Sequence, residues 1–233
     1  MSDTAGVGHL VITGCAGRVA GMIAPFLRPR YRLRGVDVEP PAPGLVDEFV
    51  EADVGEIDAV AAALDGADAV LHLAAQPAEA DFRERLLPRN VAGTWAVYEA
   101  AVRAGARRFV FASTLQTIQG YDPGEPVPPN AAPRPSSIYG CTKLFGEALG
   151  RFHADRSGLG VACLRMGAVR TADAPDARDN SSIWLGSRDL ASLVVAAVES
   201  DVPFAIVTAV SRPASERFDT ANPFGWLPVE SPR

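Results

Sequence analysis

HLVITGCAGRVA, His9 to Ala20, is the stretch whose reading decides the fold of this 233-residue chain. The apolar run from His9 to Thr13 breaks at Gly14, and from Arg18 onward Val19, Met22, Ile23, Phe26 and Leu27 recur at helical rather than strand spacing. The segment predicts a buried strand, a glycine turn and a helix. Gly14 and Gly17 carry no side chain, so backbone there can approach a pyrophosphate closely while the helix N-terminus points at its charge. The third glycine of the usual pattern is Ala20, still small enough for a helix to pack closely on a strand. A glycine-rich turn after a strand is also an ordinary structural device, so the rest of the chain has to decide between the two.

Outward from that turn, Tyr31 to Val36 alternates as a second strand and ends in Asp37, followed by the turn-rich EPPAPG. Glu51 to Val54 closes a short third strand, Ile57 to Leu64 is an alanine-rich helix stopped by Asp65-Gly66, and Ala69 to Leu73 is a fourth strand apolar enough to be buried on both faces. Asn90 to Ala104 reads as one long amphipathic helix ending at Gly105, and Phe109 to Ala112 as a fifth strand. Beyond a loop rich in Pro, Gly and Asn, Ser136 or Ser137 caps a helix from Ile138 to Asp155, and Val161 to Met166 is a sixth strand. Residues 167 to 187 form a long polar connection, Ser187 caps a last helix from Asp189 to Glu199, and Phe204 to Thr208 is a seventh strand. The tail with Phe218, Phe224 and Trp226 is expected to fold back over the open end.

Strands alternating with helices predict an α/β fold with a doubly wound parallel sheet, in which ligands bind beyond the carboxyl ends of the strands. The tips that matter are then Gly14 to Val19, Asp37, Asp53, Ala74-Ala75 and Ser113-Thr114. With 48% hydrophobic residues the chain can bury a core as one domain over residues 1 to 233, with substrate loops at about 114–135, 167–187 and 209–233. A net charge of −6 and no basic run interleaved with aromatics argue against nucleic acid or an anionic membrane as partner, leaving a small molecule. Cys15, Cys141 and Cys163 are spaced for neither a disulfide framework nor a zinc site, so no metal is expected and a reducing cytoplasm is the natural location. The start MSDTAGVG has no signal-peptide pattern, and no apolar run reaches membrane-spanning length.

The chemistry is expected at Tyr139 and Lys143, four residues apart and so on one face of the predicted helix. A lysine ammonium beside a phenol favours the phenolate, pulling the tyrosine down from its usual value near 10, and a phenolate can take the proton of a substrate hydroxyl. The spacing gains weight from composition. The chain holds 21 arginines and a single lysine, Lys143. A compact ammonium on a thin stem can reach both a phenol and a ribose hydroxyl, which a planar guanidinium does less well.

TGCAGRVA, Asp37, the Asp53-Val54 pair, HLAA, NVAGT, FAST and YGCTK, in this order over roughly residues 9 to 200, together resemble the extended short-chain dehydrogenase/reductase family, the NAD-dependent epimerase/dehydratases. The resemblance implies a Rossmann-like domain with a small C-terminal substrate-binding portion, and NAD as cofactor. It places Thr114 as the catalytic hydroxyl with Ser113 as an adjacent substitute, Tyr139 as general base and Lys143 as its partner. Gly14, Gly17, Arg18 and Val19 would hold the pyrophosphate, Asp37 the adenosine ribose, Asp53 and Val54 the adenine, and Leu73, Ala74 and Ala75 the middle of the cofactor. Met166 would face the nicotinamide, with Asn90 bracing the cofactor site. Asp37, with Glu39 nearby, selects NAD over NADP by repelling a 2′-phosphate.

Within the family the chain looks most like uronate dehydrogenases, through FASTLQTI, PRPSSIYGCTKLFGEALGRF, LRMG, SSIWL and SRDL. That likeness implies oxidation of a small sugar acid, with Gln116 and Arg178 at the substrate and Arg170 as a second candidate for its carboxylate. The chain departs from that pattern at Leu115-Gln116, which replace an Asn-His pair, and at Pro77 and Ala168, which replace serines. Two other readings stay open. A nucleotide-sugar epimerase or dehydratase would carry a larger C-terminal domain than the roughly 70 residues after the sixth strand provide. A non-catalytic NAD(P)-sensing protein would lose the Tyr–Lys pair. By the same resemblance the helices Asn90–Ala104 and Ile138–Asp155 could form a homodimer bundle, although apolar stripes that face the sheet look the same in sequence.

Overall fold

A computed structural model describes residues 8–122, 124–128, 130–175, 183–211 and 217–229. Seven strands, β1 (His9–Thr13), β2 (Arg32–Asp37), β3 (Glu48–Glu51), β4 (Ala69–His72), β5 (Arg108–Thr114), β6 (Gly160–Met166) and β7 (Phe204–Ala209), form one parallel sheet of order β3-β2-β1-β4-β5-β6-β7. The pleat sorts the core into two layers. Leu10, Ile12, Leu33, Leu71 and Leu164 meet α1 (Arg18–Leu27) and α5 (Ser187–Glu199) on one face. Val11, Val36, Val70, Phe109 and Phe111 meet α2 (Ile57–Ala63) and α3 (Gly93–Arg103) on the other, where α4 (Ile138–Ser157) also lies. The chain leaves β1 toward β3 and resumes at β4 on the opposite side of β1. A crevice therefore opens between the carboxyl ends of β1 and β4.

Most expected elements appear within two or three residues of their expected bounds, and the departures have local causes. The helix expected over Asn90–Ala104 is two helices. A wide helix, Phe82–Ala92, runs into α3. Pro88 has no N–H to give and its ring crowds the preceding turn, and the backbone widens to bonds five residues apart: Leu86 N–H to Asp81 O at 3.1 Å, and Gly93 N–H to Pro88 O. Ser137 rather than Ser136 caps α4, accepting the Gly140 N–H. Ser187 is the first residue of α5 rather than its cap. Its N–H and hydroxyl both donate to Asp173 from the preceding loop, and Gly186 takes the cap position.

The tail also departs from expectation. Phe218 does join Leu115, Ile118 and Val127 near the open end. Phe224 and Trp226 instead pack in the α1/α5 layer, with the Trp226 indole donating to Ser192. The outer faces of α3 and α4, named above for a homodimer, expose Trp95, Phe145 and Phe152. No helix of the described residues is long and apolar enough to cross a membrane.

Candidate active site

Gly14 sits at φ +76°, its N–H on Val36 O at 2.8 Å, and a Cβ there would lie 2.6 Å from Ala74 N. Only glycine lets the β1 turn and the β4 tip approach this closely. Gly17 ends the turn as the N-cap of α1, with no side chain capping the helix. Its first N–H groups are thus turned outward for an anion. Asp37 closes the far side, its carboxylate accepting the Ala16 and Val38 N–H groups at 2.9 and 2.8 Å. Asp53, which also receives the Gly55 N–H, and Val54 follow β3, while Leu73 to Ala75 follow β4. All of these except Ala16, Val36 and Gly55, with Glu39, line one cleft of about 510 Å³.

That cleft opens into a second of about 320 Å³, the two sharing Arg18, Val19, Leu73, Ala75 and Pro77. Thr114 at the end of β5, Tyr139 and Lys143 on α4, Met166 at the end of β6, Gln116 and Arg170 line this second space. Thr114 Oγ1 accepts the Gln116 N–H at 3.3 Å, and the Gln116 side-chain oxygen accepts the Ser137 hydroxyl. The amide nitrogen of Gln116 is thereby left as a donor for an oxygen in the cleft.

Tyr139 and Lys143 are buried, and the Lys143 Nζ lies 5.8 Å from the Tyr139 ring centroid and 5.0 Å from that of Phe111. Burial pushes the Tyr139 phenol up to about 12 and the Lys143 ammonium down to about 7. The expected lowering of the tyrosine is thus not found, because the loss of water around the phenolate outweighs a charge at this distance.

Two further candidate positions are held by hydrogen bonds to neighbouring elements. Ser113, which also lines the second cleft, lies on the other side of the pleat from Thr114, and its hydroxyl donates to Glu147 Oε1 at 2.6 Å. Asn90 lines neither cleft. Its amide receives the Gln76 N–H and donates to Gln76 O and Thr142 Oγ1, bracing the β4 loop against α4. Arg178 lies outside the described residues. Sequence reasoning missed Arg89, which lines the first cleft and reaches the Gln76 side chain at 3.5 Å. It sits on the wide helix, whose register gave no signal.

A glycine turn at a sheet's switch point, an acid at the tip of β2 and a buried Tyr–Lys pair across a shared cleft define a Rossmann-like, dinucleotide-binding α/β protein. The profile of the NAD dependent epimerase/dehydratase family matches residues 10–192, and the chain belongs to that family. It is 34% identical over 229 residues to a uronate dehydrogenase of Pseudomonas syringae, covering 96% of this chain and 82% of that one. It is 32% identical to an NAD-dependent glucose-6-phosphate dehydrogenase of Haloferax volcanii, covering 87% and 84%. The crystal structure of uronate dehydrogenase from Agrobacterium tumefaciens superposes with a TM-score of 0.89 at 31% identity, covering 96% and 85%.

Proposed function

We propose that this protein is an NAD-dependent dehydrogenase that oxidises a hydroxyl of a small anionic sugar, in the manner of uronate dehydrogenases. The carrying observation is the joined pair of clefts, of about 510 and 320 Å³, the first lined by the glycine turn and Asp37 and the second by Thr114, Tyr139, Lys143 and Arg170, meeting at Arg18, Val19 and Leu73. NAD fits the first cleft by the bare backbone at Gly14, the open N-terminus of α1 and the carboxylate of Asp37. Asp37 and Glu39 disfavour a 2′-phosphate. The bound nicotinamide would supply the hydride acceptor.

In the second cleft Thr114 and Tyr139 share the reacting oxygen. Tyr139 passes its own proton to the Lys143 amine as its oxygen takes the proton of the substrate hydroxyl, so Lys143, held near 7 by burial, ends with the positive charge while the hydride would leave for the nicotinamide. Gln116 donates to a ring oxygen or hydroxyl, and Arg170 holds the carboxylate or phosphate, bidentately where geometry allows. Arg170 carries this assignment because it lines the second cleft beside Met166 and Thr114.

The test follows NADH formation with glucuronate, galacturonate, glucose 6-phosphate, arabinose and UDP-glucose. Sugar acids should give the highest kcat/KM, and Arg170→Ala should raise their KM roughly tenfold, about 1.4 kcal/mol, with little change in kcat. Faster turnover of arabinose or UDP-glucose, with Arg170→Ala indifferent to the acids, would sink the proposal.

A further inference from the structure

A buried ion pair lies within a residue or a helical turn of each segment that carries the candidate catalytic groups. Arg165 Nε donates to Glu147 Oε1 at 2.9 Å and Nη2 donates to Oε2 at 2.8 Å, while the Ser113 hydroxyl donates to the same Oε1 at 2.6 Å. Ser113 is 1% exposed, Glu147 4% and Arg165 4%. Ser113 and Arg165 are register partners across β5 and β6, and the next row toward the cleft is Thr114 opposite Met166. Glu147 follows Lys143 by one turn of α4, a rise of roughly 5.4 Å. A single carboxylate thus joins the strand of Thr114, the strand of Met166 and the helix of Tyr139 and Lys143.

Stability alone does not call for these charges, since a buried ion pair is often no more stable than apolar side chains of the same volume. What a bidentate pair adds is direction. The rest of α4 lacks that quality where it meets the sheet. Gly146 presents bare backbone to the Phe111 ring and Gly150 to Tyr98 and Val161, a seat that sets the height of the helix but not its position along its axis. We propose that Glu147, through Arg165 and Ser113, is a positioning residue. It fixes the axial register of α4 on β5 and β6, and with it the depth at which Tyr139 and Lys143 enter the second cleft.

The proposal rests on NAD spanning both clefts, whereas ADP occupies only the first. Lys143→Met tests that premise separately, because it should lower the affinity for NAD relative to ADP. The decisive variant is Glu147→Met/Arg165→Met, which removes both buried charges together and should keep its Tm close to that of the parent. Nucleotide titration by fluorescence should show NAD affinity falling roughly tenfold with ADP affinity unchanged, and kcat falling by a similar or larger factor, as small displacements of reacting groups do. Should that variant not fold, Arg165→Lys, which keeps both charges and gives up the bidentate geometry, carries the same comparison with a smaller expected loss. With Lys143→Met lowering the NAD-to-ADP ratio, an unchanged ratio in the charge-free variant overturns the proposal. Equal loss of both nucleotides alongside a lower Tm also overturns it, since the pair would then serve the fold and not the site.

Discussion

The two clefts are built in opposite ways. The first is made largely of backbone: a glycine at positive φ, the N-terminus of α1 and the tips of β2, β3 and β4, each a few residues long. The second is made of side chains from four separate segments, β5 and its following turn, α4, the end of β6 and the loop carrying Arg170. Backbone geometry fixes what a nucleotide needs, which is the same in every relative that binds one. Side chains from distant segments fix what a particular substrate needs, and a single replacement such as Pro77 or Ala168 can alter it without disturbing the fold.

That contrast predicts different failures in each half. The largest expected effect is in the second cleft. Tyr139→Phe, which deletes only the hydroxyl, should lower kcat by roughly a thousandfold while NAD titrations stay within about twofold of the parent. A variant that keeps its turnover would remove Tyr139 from the chemistry. Next comes the first cleft. Gly14→Ala forces a Cβ to 2.6 Å from Ala74 N at a φ that L-residues resist, so NAD affinity should fall roughly a hundredfold, about 2.7 kcal/mol. Retained binding would show that the turn can open without loss.

The smallest effect concerns stability against pH, and it separates the halves by a titrating group in each. His72, between Thr13 and Thr94 near the first cleft, is pushed down to about 3 by burial and by the Lys143 charge. Its unfolded form takes a proton below about 6.5 that the folded form refuses, so stability falls as pH drops from there toward 3. Lys143, lowered to about 7, acts between 7 and its ordinary value, 10.5, where stability should rise with pH as the unfolded chain alone keeps its proton. Urea midpoints across pH 4 to 10 check both, with His72→Asn flattening the acid limb and Lys143→Met the alkaline one.

What was legible in the sequence follows the same division. Strand tips and the glycine turn could be placed because they depend on short-range spacing, and Tyr139 with Lys143 because helical geometry puts them on one face. The depth of that burial was not visible, and with it the direction of the Tyr139 shift was misread. The bond of Ser113 to Glu147 was not visible either, because adjacency in sequence hides the alternation of a strand. The wide helix around Pro88 escaped because its polar residues match neither helical nor strand periodicity, and Arg89 escaped with it. Phe224 and Trp226 are apolar in either location, so nothing local separated a cap over the site from a pad on α5.

The glycines of α4 have a consequence for how substitutions in this chain should be read. One added methyl would meet Gln116 O at 2.7 Å from position 140, the Phe111 ring at 2.2 Å from 146 and the Tyr98 hydroxyl at 2.8 Å from 150. A tolerance map of the helix would therefore score these three positions as severely as Tyr139 and Lys143, although no proton or ligand passes through them. Chemical necessity and lack of room leave the same mark in such a map. They part only when abundance is measured beside activity, since a wedge under α4 lowers both and a missing phenol lowers one.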